Sequence, residues 1–433
     1  MRDIALALIF AILIPAIFYR PWLGPLVWAW VSMMNPHRMT FGFAYSTPFA
    51  QIVAGTTLIS FLFYKDKKPF PVSAPAVFMI LFVVWISITT ALSINTSGSS
   101  FDTWQKVFKI HLMLWVTMIM LSGRQQITWL VWVIALSVGI YGIKGGIWTV
   151  ATGGSSRVWG PPGSFIEGNN ELALALTLVL PLMFFLRGEL KNAIARHLMT
   201  AAMIFIGFSI LGSHSRGAFL AVIVMALFLG LKSSRPVLMS VLTISLLGLL
   251  VAFMPENWSS RMATIQSHED DSAQSRLKTW RMIWNLALHR PINGAGFDIA
   301  TPEIWATYAV EPWTRAYSAH SIYFQVLGEH GFVGLFLFLA IGIATWRLCT
   351  KIAKASKGKV ELEWAGRLSR AIQVSLMCFA AGGAFLNLAN YDMPYYLAAI
   401  AALIWRDIKP GLSAPSVKTT TTTRLKTTTA QKR

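Results

Sequence analysis

Apolar runs of about 20 residues recur along almost the whole chain, and they restrict it to a membrane-spanning helical fold. Of the 433 residues, 55% are hydrophobic and 13% are charged, whereas a soluble protein carries roughly a quarter charged residues. Since lipid offers no hydrogen bonds to the backbone, such runs form helices. We therefore predict an all-α, polytopic transmembrane protein with about 12 spans and one large outer loop. The apolar segments lie near 4–34, 49–64, 73–93, 105–122, 126–150, 170–186, 198–212, 217–231, 236–254, 321–346, 371–387 and 395–405.

Lysine and arginine are distributed unevenly among the connections between these segments. One set of connections carries most of the 37 basic residues, and the alternating set carries few outside the long segment 255–320. Because short basic connections stay in the cytoplasm and long loops are discounted, the basic set is predicted to be cytoplasmic. The net charge of +19 follows from this topology, so we expect no nucleic acid as a partner. The basic set comprises 65–68, 124, 187–196, 232–235, 347–370 and the tail from 406.

The segment 4–34 is interrupted at Arg20-Pro21 and is either one kinked span or a hairpin of two short helices. One net crossing gives twelve spans in total and places both termini in the cytoplasm, whereas a hairpin would place Met1 outside. We predict the twelve-span arrangement. It divides the chain into transmembrane helices at 1–254, an outer loop with an amphipathic helix at 255–320, C-terminal transmembrane helices at 321–407 and a disordered cytoplasmic tail at 408–433.

The outer loop contains one amphipathic stretch, 276–288. Leu277, Trp280, Trp284 and Leu288 share one face at helical spacing, and polar residues share another. We expect this helix to lie along the membrane surface with its tryptophans at headgroup level.

Polar residues that the topology brings to the outer surface indicate an anion site. Asn169, Arg216 and His320 each stand at the start of an apolar segment that runs inward, and Arg157 lies in the loop before the first of them. Helix N-termini present unpaired N–H groups and a positive dipole end, which favour phosphate. Arg216 is the best ligand candidate because its planar fork grips two phosphate oxygens. The alternative is an arginine that reaches lipid headgroups.

Three further residues are weaker candidates for substrate binding. Arg290 is a possible phosphate ligand of the same kind. Lys144 lies inside an apolar segment, where charges are usually functional. Asp392, in an outer turn, is placed to orient His320 or to bind an acceptor.

His320 is the candidate catalytic base. A helix N-terminus disfavours imidazolium, so the ring should be neutral at pH 7 and able to accept a proton from a sugar hydroxyl. The alternative is a histidine that caps the helix or contacts headgroups. Carboxylates on the outer side are sparse and no D-x-D occurs, so we predict a reaction without metal or cofactor, in which arginines stabilise the leaving group.

Three motifs resemble those of the O-antigen ligase and polymerase family, membrane glycosyltransferases that use lipid-diphosphate-linked sugars. They are H-S-x9-G-x-x-G from His320 to Gly334, S-R-G around Arg216, and a run from R-L-x-x-W at Arg276 to P-x-x-G-x-G ending at Gly296. The opening, with M-R-D-I-A, R-P-W-L-G and M-N-P-H-R, resembles a ligase subgroup. The resemblance implies that the site around Arg216 holds the lipid diphosphate and places Arg276 among the substrate-binding residues.

The same resemblance implies a bacterial inner-membrane protein with a GT-C type of all-helical fold and a periplasmic active site. The donor would be a glycan on undecaprenyl diphosphate, the acceptor lipid A-core, and the transfer inverting. An O-antigen polymerase or a protein O-oligosaccharyltransferase would share this donor site. A membrane transporter is the alternative from another class; it predicts broken helices, for which Lys144-Gly145-Gly146 is the candidate.

Overall fold

A computed structural model describes residues 1–95, 97–232, 245, 248 and 271–413. All regular secondary structure in these residues is helical, which confirms the all-α fold class. Apart from residues 245 and 248, the predicted segment at 236–254 lies outside the described residues. So do residues 255–270 of the outer loop and 414–433 of the predicted tail.

The α-helices are named here in chain order. They are α1 (Arg2–Tyr19), α2 (Leu23–Met34), α3 (Phe49–Phe63), α4 (Ala74–Ala91), α5 (Ser99–Met120), α6 (Gly123–Ala151), α7 (Asn169–Glu189), α8 (Ala193–Gly212), α9 (Arg216–Lys232), α10 (Asp271–His289), α11 (Pro302–Tyr308), α12 (Ile322–Ala355), α13 (Glu363–Gly383) and α14 (Asp392–Ser413).

Six of the described helices are long and apolar enough to cross a membrane, namely α1, α4, α6, α7, α8 and α12. Shorter apolar helices are present as well, among them α2 and α3. The chain therefore has the composition of a multi-pass membrane protein, while the total of about 12 spans stays a prediction.

The first two helices form a hairpin rather than one kinked span. The Asp3 carboxylate at the start of α1 accepts hydrogen bonds from the backbone N–H groups of Gly42 and Ala44, 2.9 and 3.1 Å away, which lie beyond the end of α2. At the other end of α1, the Ser60 hydroxyl donates to the Ile17 carbonyl at 3.0 Å. The preferred single crossing over 4–34 is therefore wrong, because α2 returns the chain to the end where α1 begins.

The remaining helices alternate between two ends of one bundle. One end, here called the site end, contains the C-termini of α2, α4, α6, α8 and α13 and the N-termini of α7, α9, α12 and α14. Contacts such as Ser32 with Asp392 and Asn169 with Ser213 join these termini. The opposite end, the basic end, is joined by Lys68 with Ile119 and by Gly123 with Asp407. The N-terminus therefore lies at the site end and residue 413 at the basic end, whereas a single crossing over 4–34 would place Met1 and residue 413 at the same end.

Helix α14 occupies the centre of the bundle. Residues 397–404 are completely buried, as expected for a helix that is apolar on every face and packed on all sides. The helix continues to Ser413, past the predicted boundary at residue 407. This central helix gives the surrounding helices a fixed support on which the site end is assembled.

Candidate functional site

His320 lies in the connection from α11 to α12, and its backbone is held from both sides. Its φ is +45°, in the left-handed region that costs a non-glycine residue conformational energy. On the preceding residue, the Ala319 carbonyl accepts a hydrogen bond from the Trp280 indole of α10 at 2.8 Å. The same indole stacks on Phe324 in the first turn of α12, with ring centroids 5.0 Å apart. Trp280 thus fixes the position from which the His320 ring projects.

The imidazole of His320 is half-buried, and its Nε2 lies 3.3 Å from the Ser318 hydroxyl. Burial first, and then the nearby guanidinium of Arg276, lower the pKa of His320 below its ordinary value of 6.5. The ring is therefore neutral at pH 7 and has the capacity to accept a proton. The sequence predicted this neutral state, but from the helix dipole; burial and Arg276 are the physical causes found here.

Arg276 connects two elements of the site. It lies on α10, one helical turn before Trp280, and its charge acts on His320 and on Glu171 in the first turn of α7. Glu171 is half-buried. A base, a cation and a carboxylate from three different elements therefore share one neighbourhood.

Arg216 begins α9, directly after a buried turn that is held by polar contacts. The Asn169 amide at the start of α7 donates to the Ser213 carbonyl at 2.6 Å. His214, with φ of +56°, donates from Nε2 to the Gly154 carbonyl at 2.9 Å. These contacts tie the start of α9 to the start of α7 and to the loop that carries Arg157.

The end of α13 brings the starts of α9 and α12 together. A Cβ at Gly217 would lie 3.4 Å from the Gly382 carbonyl oxygen, and a Cβ at Gly383 would lie 2.7 Å from the Ile322 side chain. Gly217 follows Arg216 directly, and Ile322 is two residues after His320. Both candidate residues therefore stand beside the last turn of one helix, at the same end of the bundle.

Arg157 belongs to the same region. Its neighbour Val158 donates its backbone N–H to the Gly212 carbonyl at the end of α8, 3.3 Å away. The Arg157 side chain is exposed. It therefore stands next to the turn that precedes Arg216.

Three predicted residues are placed elsewhere. The Arg290 guanidinium donates to the carbonyls of Gly294 and Leu92, at 2.5 and 3.2 Å, and lies about 21 Å along α10 from Arg276. Lys144 is on an exposed face of α6. Asp392 is buried at the start of α14 and accepts a hydrogen bond from Ser32 of α2. Arg290 therefore lies against the end of α4 and Asp392 against α2, while Lys144 lies on an outer face of α6.

The helix α12 is broken at Gly331, about three turns after His320, and the sequence did not predict this break. Gly331 has φ of +69° and ψ of −171°, a conformation that is almost restricted to glycine. The freed backbone groups pair with the segment after α10. Ala295 and Gly296 donate to the carbonyls of Gly328 and Glu329 at 2.9 and 2.8 Å, and Phe332 donates to the Pro291 carbonyl at 2.8 Å. Backbone hydrogen bonds therefore join the two glycine motifs of the sequence, P-x-x-G-x-G ending at Gly296 and G-x-x-G from Gly331 to Gly334.

Two ionisable side chains next to the break are fully enclosed. His330 Nδ1 lies 2.7 Å from the Thr89 hydroxyl, and its carbonyl accepts from the Trp85 indole at 2.9 Å. The Glu329 carboxylate accepts from Gln325 at 3.4 Å and lies 3.8 Å from His330 Nε2. Sequence reasoning singled out neither residue; their position in an apolar segment was the available signal. Among the described residues, no group of three His, Cys, Asp or Glu side chains is arranged to hold a metal ion.

Comparison with known families covers most of the chain. Residues 201–339 match the family model described as O-antigen ligase. Residues 1–191 match a family of unknown function (DUF5935). No curated protein matches the chain. The first match contains Arg216, Arg276, His320 and the break at Gly331, and the second contains Arg157 and Asn169.

Proposed function

From the membership in the O-antigen ligase and polymerase family that the match over residues 201–339 supports, we propose that this protein is an O-antigen ligase. It transfers a glycan from undecaprenyl diphosphate to lipid A-core at the periplasmic face of a bacterial inner membrane. The observation that carries the proposal is a neutral, half-buried imidazole at His320, close to the Arg276 guanidinium. The start of α12 after His320 and the start of α9 with Arg216 both pack against the last turn of α13.

The chemistry is a direct displacement at the anomeric carbon. A ring nitrogen of His320 takes the proton of the acceptor hydroxyl, the hydroxyl oxygen forms the new bond, and the bond between sugar and phosphate breaks on the opposite side with inversion. The leaving lipid diphosphate keeps the bonding electrons. Arg216, Arg276 and Arg157 stabilise its negative charge, so that a metal ion is not required for this step.

The neutral state of His320 is central to this mechanism. A base is useful only in its unprotonated form, so a lowered pKa keeps the enzyme active as the pH falls towards the ordinary value of 6.5. Replacing Arg276 removes one of the two causes and raises the pKa of His320. In Arg276→Gln, the acid limb of the pH–rate profile should therefore move to higher pH. An unmoved acid limb would contradict the assignment of His320 as the base.

The direct test uses purified protein in liposomes with lipid-linked glycan and lipid A-core. His320→Ala should reduce transfer at least about 100-fold, as expected for loss of a general base. The matched control is His289→Ala, which removes an exposed histidine at the end of α10. Full activity of His320→Ala would refute the mechanism. Activity that disappears with a chelator and returns with a divalent cation would refute metal independence.

The choice of acceptor separates this proposal from its relatives. Lipid A-core, a second lipid-linked glycan and a protein are offered in parallel reactions with the same donor. Transfer to lipid A-core supports the ligase. Transfer only to the lipid-linked glycan or only to the protein would replace it by a polymerase or a protein O-oligosaccharyltransferase.

One observation favours a transporter as the second candidate. A broken membrane helix with enclosed ionisable side chains, as at Glu329, His330 and Gly331, is typical of transporters. Here, however, the backbone groups at the break pair with residues 291–296 rather than lining an open path. Solute flux in proteoliposomes that survives His320→Ala, without glycan transfer, would favour the transporter.

A further inference from the structure

A groove of about 690 Å³ lies at the basic end of the bundle, between α4, α12 and α14. Its walls are mainly apolar and include Phe78 of α4 with Phe336, Leu339 and Ile343 of α12. The volume is within the range of small-molecule sites, about 300 to 1,000 Å³. The groove is therefore large enough to hold part of an amphiphile.

Positive charge is concentrated where this groove meets the basic end. Arg347 and Lys351 both line it, and they lie one helical turn apart on the same face of α12. The Lys351 ammonium stands 4.3 Å from the centroid of the Trp405 ring of α14, which also lines the groove. Two cations at the mouth of an apolar channel match a ligand with an anionic head and an apolar body.

The start of α4 adds hydrogen-bond donors at the same place. Ser73 precedes the first turn of α4, lines the groove, and makes no capping hydrogen bond with its side chain. Its hydroxyl oxygen is enclosed, and within the described part of the chain it has no hydrogen-bond partner. In the first turn of α4, Pro75 has no N–H group and Val77 donates to the Ser73 carbonyl. The N–H groups of Ala74 and Ala76 therefore remain for a ligand. Phosphate oxygens are acceptors that fit such donors.

A second apolar groove lies on the other side of the same residues. It has about 300 Å³, is formed by α12, α13 and α14, and shares Leu339, Ile343 and Arg347 with the first groove. Arg347 therefore stands above two adjoining apolar channels. This arrangement fits a head group that carries two chains.

We propose that these grooves bind an anionic glycerophospholipid. Its phosphate lies between Arg347, Lys351 and the start of α4, and its acyl chains occupy the apolar channels. The ligand is not the glycan donor, because its phosphate lies between Lys351 and Ser73 at the basic end, whereas His320 lies at the site end. The second groove extends to Ile322 near the site end, so it is the head-group site at Arg347 and Lys351 that is separate from the proposed glycan transfer.

Native mass spectrometry of the purified protein tests this proposal, with phosphatidylglycerol and phosphatidylethanolamine of identical chains as probes. The protein should retain phosphatidylglycerol more tightly. The double variant Arg347→Gln/Lys351→Gln should weaken this binding about 10- to 30-fold, as two basic contacts predict. The matched control, Lys354→Gln/Lys359→Gln, removes the same charge just beyond the groove and should bind like the original protein.

Two further measurements separate the lipid site from simpler explanations. Ala340→Phe, which fills the first groove without changing charge, should also weaken phosphatidylglycerol binding. Glycerophosphate, which has the head group without chains, should not displace the lipid. Equal binding of the two lipids, equal losses in the double variant and its control, or full displacement by glycerophosphate would each overturn the proposal.

Discussion

Two membrane helices carry an ionisable residue next to glycine, but only one of the two helices is broken there. In α6, Lys144-Gly145-Gly146 lies in an unbroken helix, and a Cβ at Gly146 would stand 1.9 Å from the Phe205 carbonyl oxygen of α8. In α12, Glu329-His330-Gly331 lies at a break whose freed backbone groups pair with residues 291–296. Only the transporter alternative predicted a break at the first of these sites, and the sequence did not predict the second.

The difference shows when a glycine in a membrane helix allows close helix packing and when it accompanies a break in the helix. A glycine lets a neighbouring helix approach closely, as α8 approaches α6. A break is stable within a membrane protein only where another segment supplies hydrogen bonds to the freed backbone groups. The loop after α10 supplies them to α12, and it carries its own glycines at 294 and 296. The same break sets the direction of the first turns of α12, which begin beside His320.

Gly331→Ala should have the largest effect in this comparison. The backbone conformation excludes a side chain, and a Cβ would lie 2.2 Å from the Ile292 carbonyl oxygen. Strain and displacement together should destabilise the fold by about 4 kcal/mol. The thermal midpoint in detergent micelles and glycan transfer by the folded fraction measure the effect. Gly342→Ala, on the same helix with open space around it, is the control. Equal midpoints for the two variants would mean that the break is dispensable.

Gly146→Ala should have a smaller effect, because the backbone there is already helical and only the close approach to α8 is lost. We expect a loss of about 2 kcal/mol from overpacking. Glycan transfer by the folded fraction should fall less than in Gly331→Ala, since Phe205 lies about two helical turns before the buried turn that precedes Arg216. The thermal midpoint measures the loss, and Gly207→Ala on α8, with nothing near its Cβ position, should be neutral. A loss larger than that of Gly331→Ala would reverse the ranking.

Thr89→Val tests the hydrogen bonding of the enclosed His330 near the break. It removes the hydroxyl that lies 2.7 Å from His330 Nδ1 and leaves a buried ring nitrogen without that partner, at a cost of about 1.5 kcal/mol. Thr90→Val on the same helix removes only a hydrogen bond to the Ile86 carbonyl and should cost less. Chemical denaturation of the two variants side by side gives the difference. A loss that is no larger for Thr89→Val would mean that the hydroxyl does not stabilise His330.

The sequence predicted those features that depend on local composition. Apolar runs indicated the helices, and the alternation of basic and polar connections indicated which residues meet at one end, including Arg216 and His320. Features that depend on contacts between residues far apart in the sequence could not be predicted from it. Arg290 finds the Leu92 carbonyl, 198 positions away, and the hairpin of α1 and α2 depends on the contact of Asp3 with residues 42–44. Glycines within an apolar helix occur both at breaks and at close helix contacts. The sequence around Gly331 therefore does not distinguish the two, and only the backbone partners of the break do.

Lys144→Gln should have the smallest effect and sharpens the contrast most directly. Lys144 lies on an exposed face of α6, while the neighbouring Gly145 and Gly146 are buried in the bundle. Its long alkyl side chain therefore allows the ammonium group to reach the headgroup region. Stability should change by about 0.5 kcal/mol or less, and transfer of glycan from the lipid-linked donor should be unaltered. A tenfold fall in transfer at unchanged stability would restore Lys144 to the substrate-binding residues. It would also show that a charge on an unbroken helix, and not only the group around His320, takes part in the reaction.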